Sequence, residues 1–195
     1  MIAANDTRGL LTSESFREIF SKQVFCAVNY FKAGVPEATP VLILILLEEQ
    51  KPVVFVTNVD MPNNAKARRT CMEVVGALFA KQEGIQVLGV ILANLAWKVV
   101  SPIEIGLEAA RRIIPSQHKD RKEVVCLCGA TKDGRSLFAS VPTGRAGDDD
   151  TEPMQINSEE VVECCNGLEV ATDINIADQL VGSFFSGYYK AHSRV

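Results

Sequence analysis

Few side chains in this chain stand in arrangements that do chemistry. Its 195 residues include two histidines, His118 and His192, and six cysteines. The densest polar stretch is Pro115-Ser116-Gln117-His118-Lys119-Asp120, with Arg121 and Glu123 just beyond it. Ser116, His118, Arg121 and Glu123 are therefore the candidate catalytic or ligand-binding residues. A serine close to a histidine is the beginning of a nucleophile–base pair, and an arginine can grip a carboxylate or phosphate. No third group to orient the histidine stands nearby, and serine and histidine in polar turns commonly hydrogen-bond the backbone instead. The loop reading outweighs the catalytic one.

The remaining motifs are thinner. Cys126 and Cys128, two apart on a strand, share a face. That suits a redox or soft-metal pair, or two small buried side chains beneath a helix, and the absence of further ligands nearby favours the second. Cys164 and Cys165 diverge. No C-x-x-C pair occurs, and two histidines supply no zinc spacing, so no metal ligand and no cofactor-binding residue is expected. The best glycine pair, Gly144 and Gly147, precedes Asp148, Asp149 and Asp150, which would repel a phosphate. Arg121, Arg135 and Arg145 cluster near strand ends, where they either hold an anion or form exposed ion pairs worth under ~1 kcal/mol each. Trp97 is core or an interface anchor.

Composition narrows the classes. Apolar residues make up 47% and charged residues 23%, ordinary values for a folded chain that needs no metal or disulfide staple. The formal charge of −4 argues against a nucleic-acid surface. Asp6 and Arg8 interrupt the N-terminal residues, which do not read as a signal peptide, and the longest apolar run, Val41 to Leu47, is far short of the ~20 residues of a membrane helix. The expected setting is cytoplasmic, with no membrane partner and with free, mostly buried thiols.

The elements that must position these residues follow from periodicity. Thr12 or Ser13 caps an amphipathic helix carrying Phe16, Phe20, Val24, Ala27 and Phe31, which Gly34 and Pro36 end. Val41–Leu47 and Val53–Val59 are strands joined by a polar loop at 48–52. Neither alternates, which predicts cover on both faces. Asn63 or Asn64 caps a helix whose apolar face is Cys71, Val74, Val75, Leu78 and Phe79, with Gly84 as its C-terminal cap. Gln86–Trp97 is a central strand, and Ser101-Pro102-Ile103-Glu104 starts a helix that runs to Pro115. Glu123–Ala130 and Ser136–Val141 flank Asp133-Gly134, which predicts a type I′ hairpin turn. Glu159–Cys165 is a short helix or strand, and Asn175–Ala191 is a last amphipathic helix with Ile176, Leu180, Phe184, Phe185 and Tyr188 on one stripe.

The predicted fold is α+β: a mixed, largely antiparallel five-stranded sheet of two hairpins and a central strand, with helices packed on it. Residues 1–145 form the core domain and 146–158 an acidic linker. Residues 159–195 form a helical segment that docks on the core or on a partner chain.

A strand ending in Trp97, then Pro115-Ser116, Arg121-x-Glu123 and Asp133-Gly134-Arg135, resembles an uncharacterised family of small bacterial and phage-associated proteins. The likeness spans roughly residues 41–145 and implies this fold without implying an activity. The element order, with Pro36-Glu37 before the first hairpin and Pro-Ser before an aspartate, is also similar to JAB/MPN zinc metalloproteases. Those enzymes hold zinc with a His-x-His after the central strand and activate water with a glutamate. Here that region reads Asn94-Leu95-Ala96-Trp97-Lys98, and Asp120 falls one residue late, so the likeness implies a non-catalytic relative. Taken together, the residues point to a cytosolic interaction or assembly protein, a homo-oligomer or the partner of another protein. A hydrolase or small-ligand-binding protein using the Pro115–Glu123 loop is the alternative.

Overall fold

A computed structural model describes residues 10–34, 39–99, 117–146, 153–172 and 180–193. Among them are four helices: α1 (Ser13–Lys32), α2 (Ala65–Ala80), α3 (Ser158–Asn166) and α4 (Leu180–His192). The strands are β1 (Val41–Glu48), β2 (Lys51–Asn58), β3 (Gln86–Lys98), β4 (Lys122–Thr131) and β5 (Ser136–Ala146). They form one open sheet in the order β2-β1-β3-β4-β5. The fold is α+β, and all four strand pairings are antiparallel, so the sheet is not mixed. The expected helix over 101–115, Ser116, residues 147–152 and residues 173–179 lie outside the described residues.

Helices cover both faces of the sheet. On one face α1 lays Phe16, Phe20, Val24 and Phe31 over Ile43, Ile45, Ile91 and Leu127, with α3 alongside. The helix is well specified locally. The Thr12 side chain accepts the Ser15 N–H at 3.1 Å, and Gly34, at φ +67°, follows its C-terminal cap. On the other face Met72 of α2 and Val181, Phe184 and Tyr188 of α4 cover Leu42, Leu44, Val90 and Leu92. Each large side chain so buried contributes about 1.5–3 kcal/mol.

The two helices of that second face meet backbone to backbone. A Cβ at Gly76 would lie 2.9 Å from the carbonyl carbon of Phe184, and one at Gly187 would lie 2.6 Å from that of Glu73. This corrects the expected face of α2. Met72 and Gly76 are its buried residues, whereas Val74 and Leu78 are exposed. A residue without a side chain marks the contact; of the expected face, Val75 and Phe79 do pack against this core, with the Phe79 ring 6.2 Å from that of Phe184. The C-terminal cap of α2 is likewise Lys81 rather than Gly84, which at φ +78° turns the chain toward β3.

The turns differ from expectation as well. At 131–135 only Gly134 has positive φ, +94°, and its N–H donates to the Thr131 carbonyl at 3.1 Å. That is an ordinary turn closed by a left-handed glycine rather than type I′. The turn with two positive φ values is Glu49-Gln50, at 46° and 66°, between the paired residues Glu48 and Lys51. Two residues suffice there, so Pro52 belongs to β2 and not to a loop.

The two edges of the sheet contrast. The segment after β5 straps its outer edge: Ser136 and Ala171 exchange backbone hydrogen bonds at 2.8 and 3.0 Å, and Gln155 N–H donates to the Thr143 carbonyl at 2.8 Å. At the opposite edge β2 has no strand beside it among the described residues. Val54, Phe55 and Val56 are exposed, which overturns the expectation that Val53–Val59 is covered on both faces. A continuous apolar run does not reveal that its strand is outermost. The cysteines also differ: all six are free, but only Cys165 is buried, and Cys26 is exposed. No helix among the described residues is long and apolar enough to cross a membrane.

Candidate functional site

Of the four sequence candidates, Ser116 lies outside the described residues. His118 sits in the turn before β4, where its Nδ1 accepts the Asp120 N–H at 3.1 Å. A neutral ring therefore carries its proton on Nε2. Arg121 stands with its guanidinium 4.9 Å from the centroid of the Trp97 ring and reaches the His118 carbonyl at 3.4 Å. Glu123 lies opposite Trp97 in the β3–β4 register and is 7% exposed. Its Oε2 accepts the Thr143 hydroxyl at 2.9 Å and lies 3.6 Å from Arg145.

The turn thus brings His118 and Arg121 together, while Glu123 points to β5. A carboxylate held by a buried hydroxyl and an arginine ties two strands together and is not poised to attack or to take a proton. Trp97, offered as core or anchor, serves as the platform for Arg121. Arg135 is also structural. It pairs with Asp133 at 2.9 Å and reaches the Ser13 hydroxyl at 3.3 Å and the Leu11 carbonyl at 2.5 Å, which pins the β4–β5 turn to the start of α1.

Cys126 and Cys128 do share a face, and their thiols hydrogen-bond each other. That bond, with burial, pushes the Cys126 pKa up, and against the opposing effect of burial it holds that of Cys128 below the usual thiol value. Neither is fully buried, and Phe138, opposite Cys128 on β5, is exposed. Among the described residues no group of three or more His, Cys, Asp and Glu is placed to hold a metal ion.

The feature that sequence reasoning missed is the outer surface of β2. Val54, Phe55 and Val56 are 40%, 48% and 53% exposed, three consecutive large apolar residues on an edge. Isolated exposed apolar residues are common; a run of them on an unpaired strand is not. Val54 and Val56 pair with Ile45 and Ile43 and so lie on the α1 side, whereas Phe55 pairs with Leu44 and lies on the α2–α4 side. On the α1 side the edge borders a cavity of about 350 Å³ lined by Cys26, Ala27 and Tyr30 of α1 and by Val41, Ile43 and Val56. The Tyr30 hydroxyl is buried and has no hydrogen-bond partner among the described residues. Val74 and Leu78 of α2 are exposed as well. The one available signal was the lack of any polar residue between Val53 and Val56 after the single charge of Lys51.

No protein-family model matches the chain, and neither a curated protein nor a solved structure matches it.

Proposed function

We propose that this chain is an interaction or assembly protein whose working surface is the β2 edge with the apolar ground on either side of it. The carrying observation is the exposed run Val54-Phe55-Val56 on an unpaired edge, set against a β5 edge that the chain straps itself. An edge strand presents unsatisfied N–H and C=O groups in a fixed row, and proteins that do not use such a row blunt it with charge, proline or cover. Here Lys51 and Pro52 blunt only its first two residues. The groove beside it offers a partner apolar contact. Free thiols on and near the surface suit a reducing, cytoplasmic setting.

The alternative, chemistry at the 115–123 loop, is less well supported, because His118, Arg121 and Glu123 each have local structural partners. The test is photo-crosslinking in the producing cell, with benzoylphenylalanine placed at Phe55 or, as a control, at the still more exposed Phe138. Adducts at position 55 well above those at 138 are expected. Equal or absent crosslinking at 55 would sink the reading.

A further inference from the structure

The hydrogen-bonding groups of β2 divide into two sets. The pair that closes a two-residue turn exchanges both ladder bonds, and the pattern then alternates along the strand. With Glu48 and Lys51 as the closing pair, Lys51, Val53, Phe55 and Thr57 direct their N–H and C=O groups to β1. Two observations agree with this parity. Val59, the next odd residue, donates its N–H to the Pro40 carbonyl at 3.0 Å. Pro52, which has no N–H, falls in the even set, where none is needed for the ladder. The outward set is Pro52, Val54, Val56 and Asn58.

This outward set is self-complementary. We propose that the occupant of the β2 edge is a second copy of the same chain, paired antiparallel about a two-fold axis normal to the sheet with Phe55 opposite Phe55. This rests on the reading of β2 as the working surface and names its partner. In that register Val54 faces Val56 of the second copy, and both have outward N–H and C=O groups, so two such pairs exchange four hydrogen bonds. The Asn58 N–H of each copy reaches the Pro52 carbonyl of the other, adding two more. Pro52 has no N–H to return, and the Asn58 carbonyl it faces keeps its bond from the Thr57 hydroxyl at 3.3 Å.

Side chains fit the same register. Opposed residues are all of one parity, so the α1 side of one copy continues into the α1 side of the other. Val54 and Val56 then form one apolar stripe, and the two Phe55 rings meet on the other face. Phe55 directs its backbone inward in both copies. The central pair is thus a non-hydrogen-bonded one, the kind in which side chains approach most closely. At each end Lys51, the only charged residue of β2, falls opposite Val59 of the second copy and stays exposed. The result is a continuous ten-stranded sheet with no apolar edge. A shift of one residue would place valines against phenylalanine on opposite faces and would set outward groups against inward ones.

Sedimentation of the full chain at micromolar concentration tests this. A species of twice 21.3 kDa is expected. Val56→Pro removes an outward N–H that β1 does not use, and should weaken the dimer roughly tenfold to a hundredfold while leaving the circular dichroism unchanged. Independently, in a Cys26→Ser background, Phe55→Cys should form an intermolecular disulfide with diamide, whereas Thr57→Cys, which would face Val53, should not. A monomer at tens of micromolar, a dimer indifferent to Val56→Pro, or crosslinking at 57 rather than 55 overturns the proposal. Adducts to a different protein at position 55 overturn the second copy and leave β2 as the working surface.

Discussion

Replacing Gly187 by alanine sets two effects of opposite sign against each other, and the structure says which wins. Alanine is favoured over glycine in a helix interior by about 1 kcal/mol. Against that gain, the new methyl would lie 2.6 Å from the carbonyl carbon and 2.7 Å from the Cα of Glu73. Carbon atoms prefer roughly 3.5–4.0 Å, so α2 and α4 must separate by about 1 Å. The obstacle is backbone, and no rotamer change relieves it. Overpacking of this kind costs about 1–3 kcal/mol, and a gap of ~1 Å forfeits a quarter to a half of each contact across the interface. Met72, Phe79, Phe184 and Tyr188 share those contacts, which adds a further ~2 kcal/mol. The net loss is about 2–4 kcal/mol, or a fall in Tm of roughly 5–15 °C for a chain of this size. Gly167→Ala is the control, because its nearest neighbour would be 3.4 Å away; it should move Tm little. Thermal unfolding followed by far-ultraviolet dichroism measures both. A Gly187→Ala protein that melts at or above the parent would refute the close contact. Gly76→Ala should act alike, and the double variant should cost less than the sum, since separated helices accommodate both methyls.

Three further expectations concern the polar groups. Burial raises the Asp133 carboxyl, but hydrogen bonds from Arg135 and Thr131 outweigh it and leave the group below the usual carboxylate value. Its folded value is thus lower than its unfolded one, so its stabilisation is complete above the unfolded value of ~3.9 and fades as pH falls through the folded one. Asp133→Asn should flatten the acid limb of a stability-versus-pH curve and leave the limb above pH ~5 unchanged in slope; an unaltered acid limb would contradict the assignment. Thr143→Val leaves the buried Glu123 carboxylate short of a donor, and about 1–3 kcal/mol should be lost in urea unfolding, with a neutral result arguing against the link. Among the thiols, Cys26 should react first with iodoacetamide and Cys165 last, read by peptide mass spectrometry, because one is exposed and burial raises the pKa of the other.

What was legible in the chain follows the physics of each signal. Runs such as Val41–Leu47 and Gln86–Trp97 announce strands because β-branched and leucine side chains must be buried, and the Thr12 and Asn64 caps announce helix starts because they satisfy specific N–H groups. Burial of a run depends on its neighbours, however, and β1 and β2 read alike although one has a strand on either side and the other is outermost. Gly76 escaped notice because apolar periodicity counts side chains, and its contribution is to have none. Glu49-Gln50 escaped because neither is a usual left-handed residue, whereas Asp133-Gly134 drew attention by composition alone. The loop candidates were read by type, and type does not show that Glu123 is committed to Thr143 and Arg145.

The covering of the second face by α4 has a consequence for synthesis. Every strand of the sheet precedes Leu180, so the ribosome completes β5 at Ala146 well before α4 exists. At ~5–20 residues per second the interval is about 2–9 s. Throughout it, among the described residues, Leu42, Leu44, Val90 and Leu92 have only α2 above them, with Met72 buried and Val75 and Phe79 partly so. The nascent chain therefore shows a half-roofed sheet and an open β2 edge at once, the condition under which holdase chaperones engage and polysome neighbours can cross-pair. Slowing translation after codon 146 should raise the aggregated fraction, and speeding it should lower that fraction.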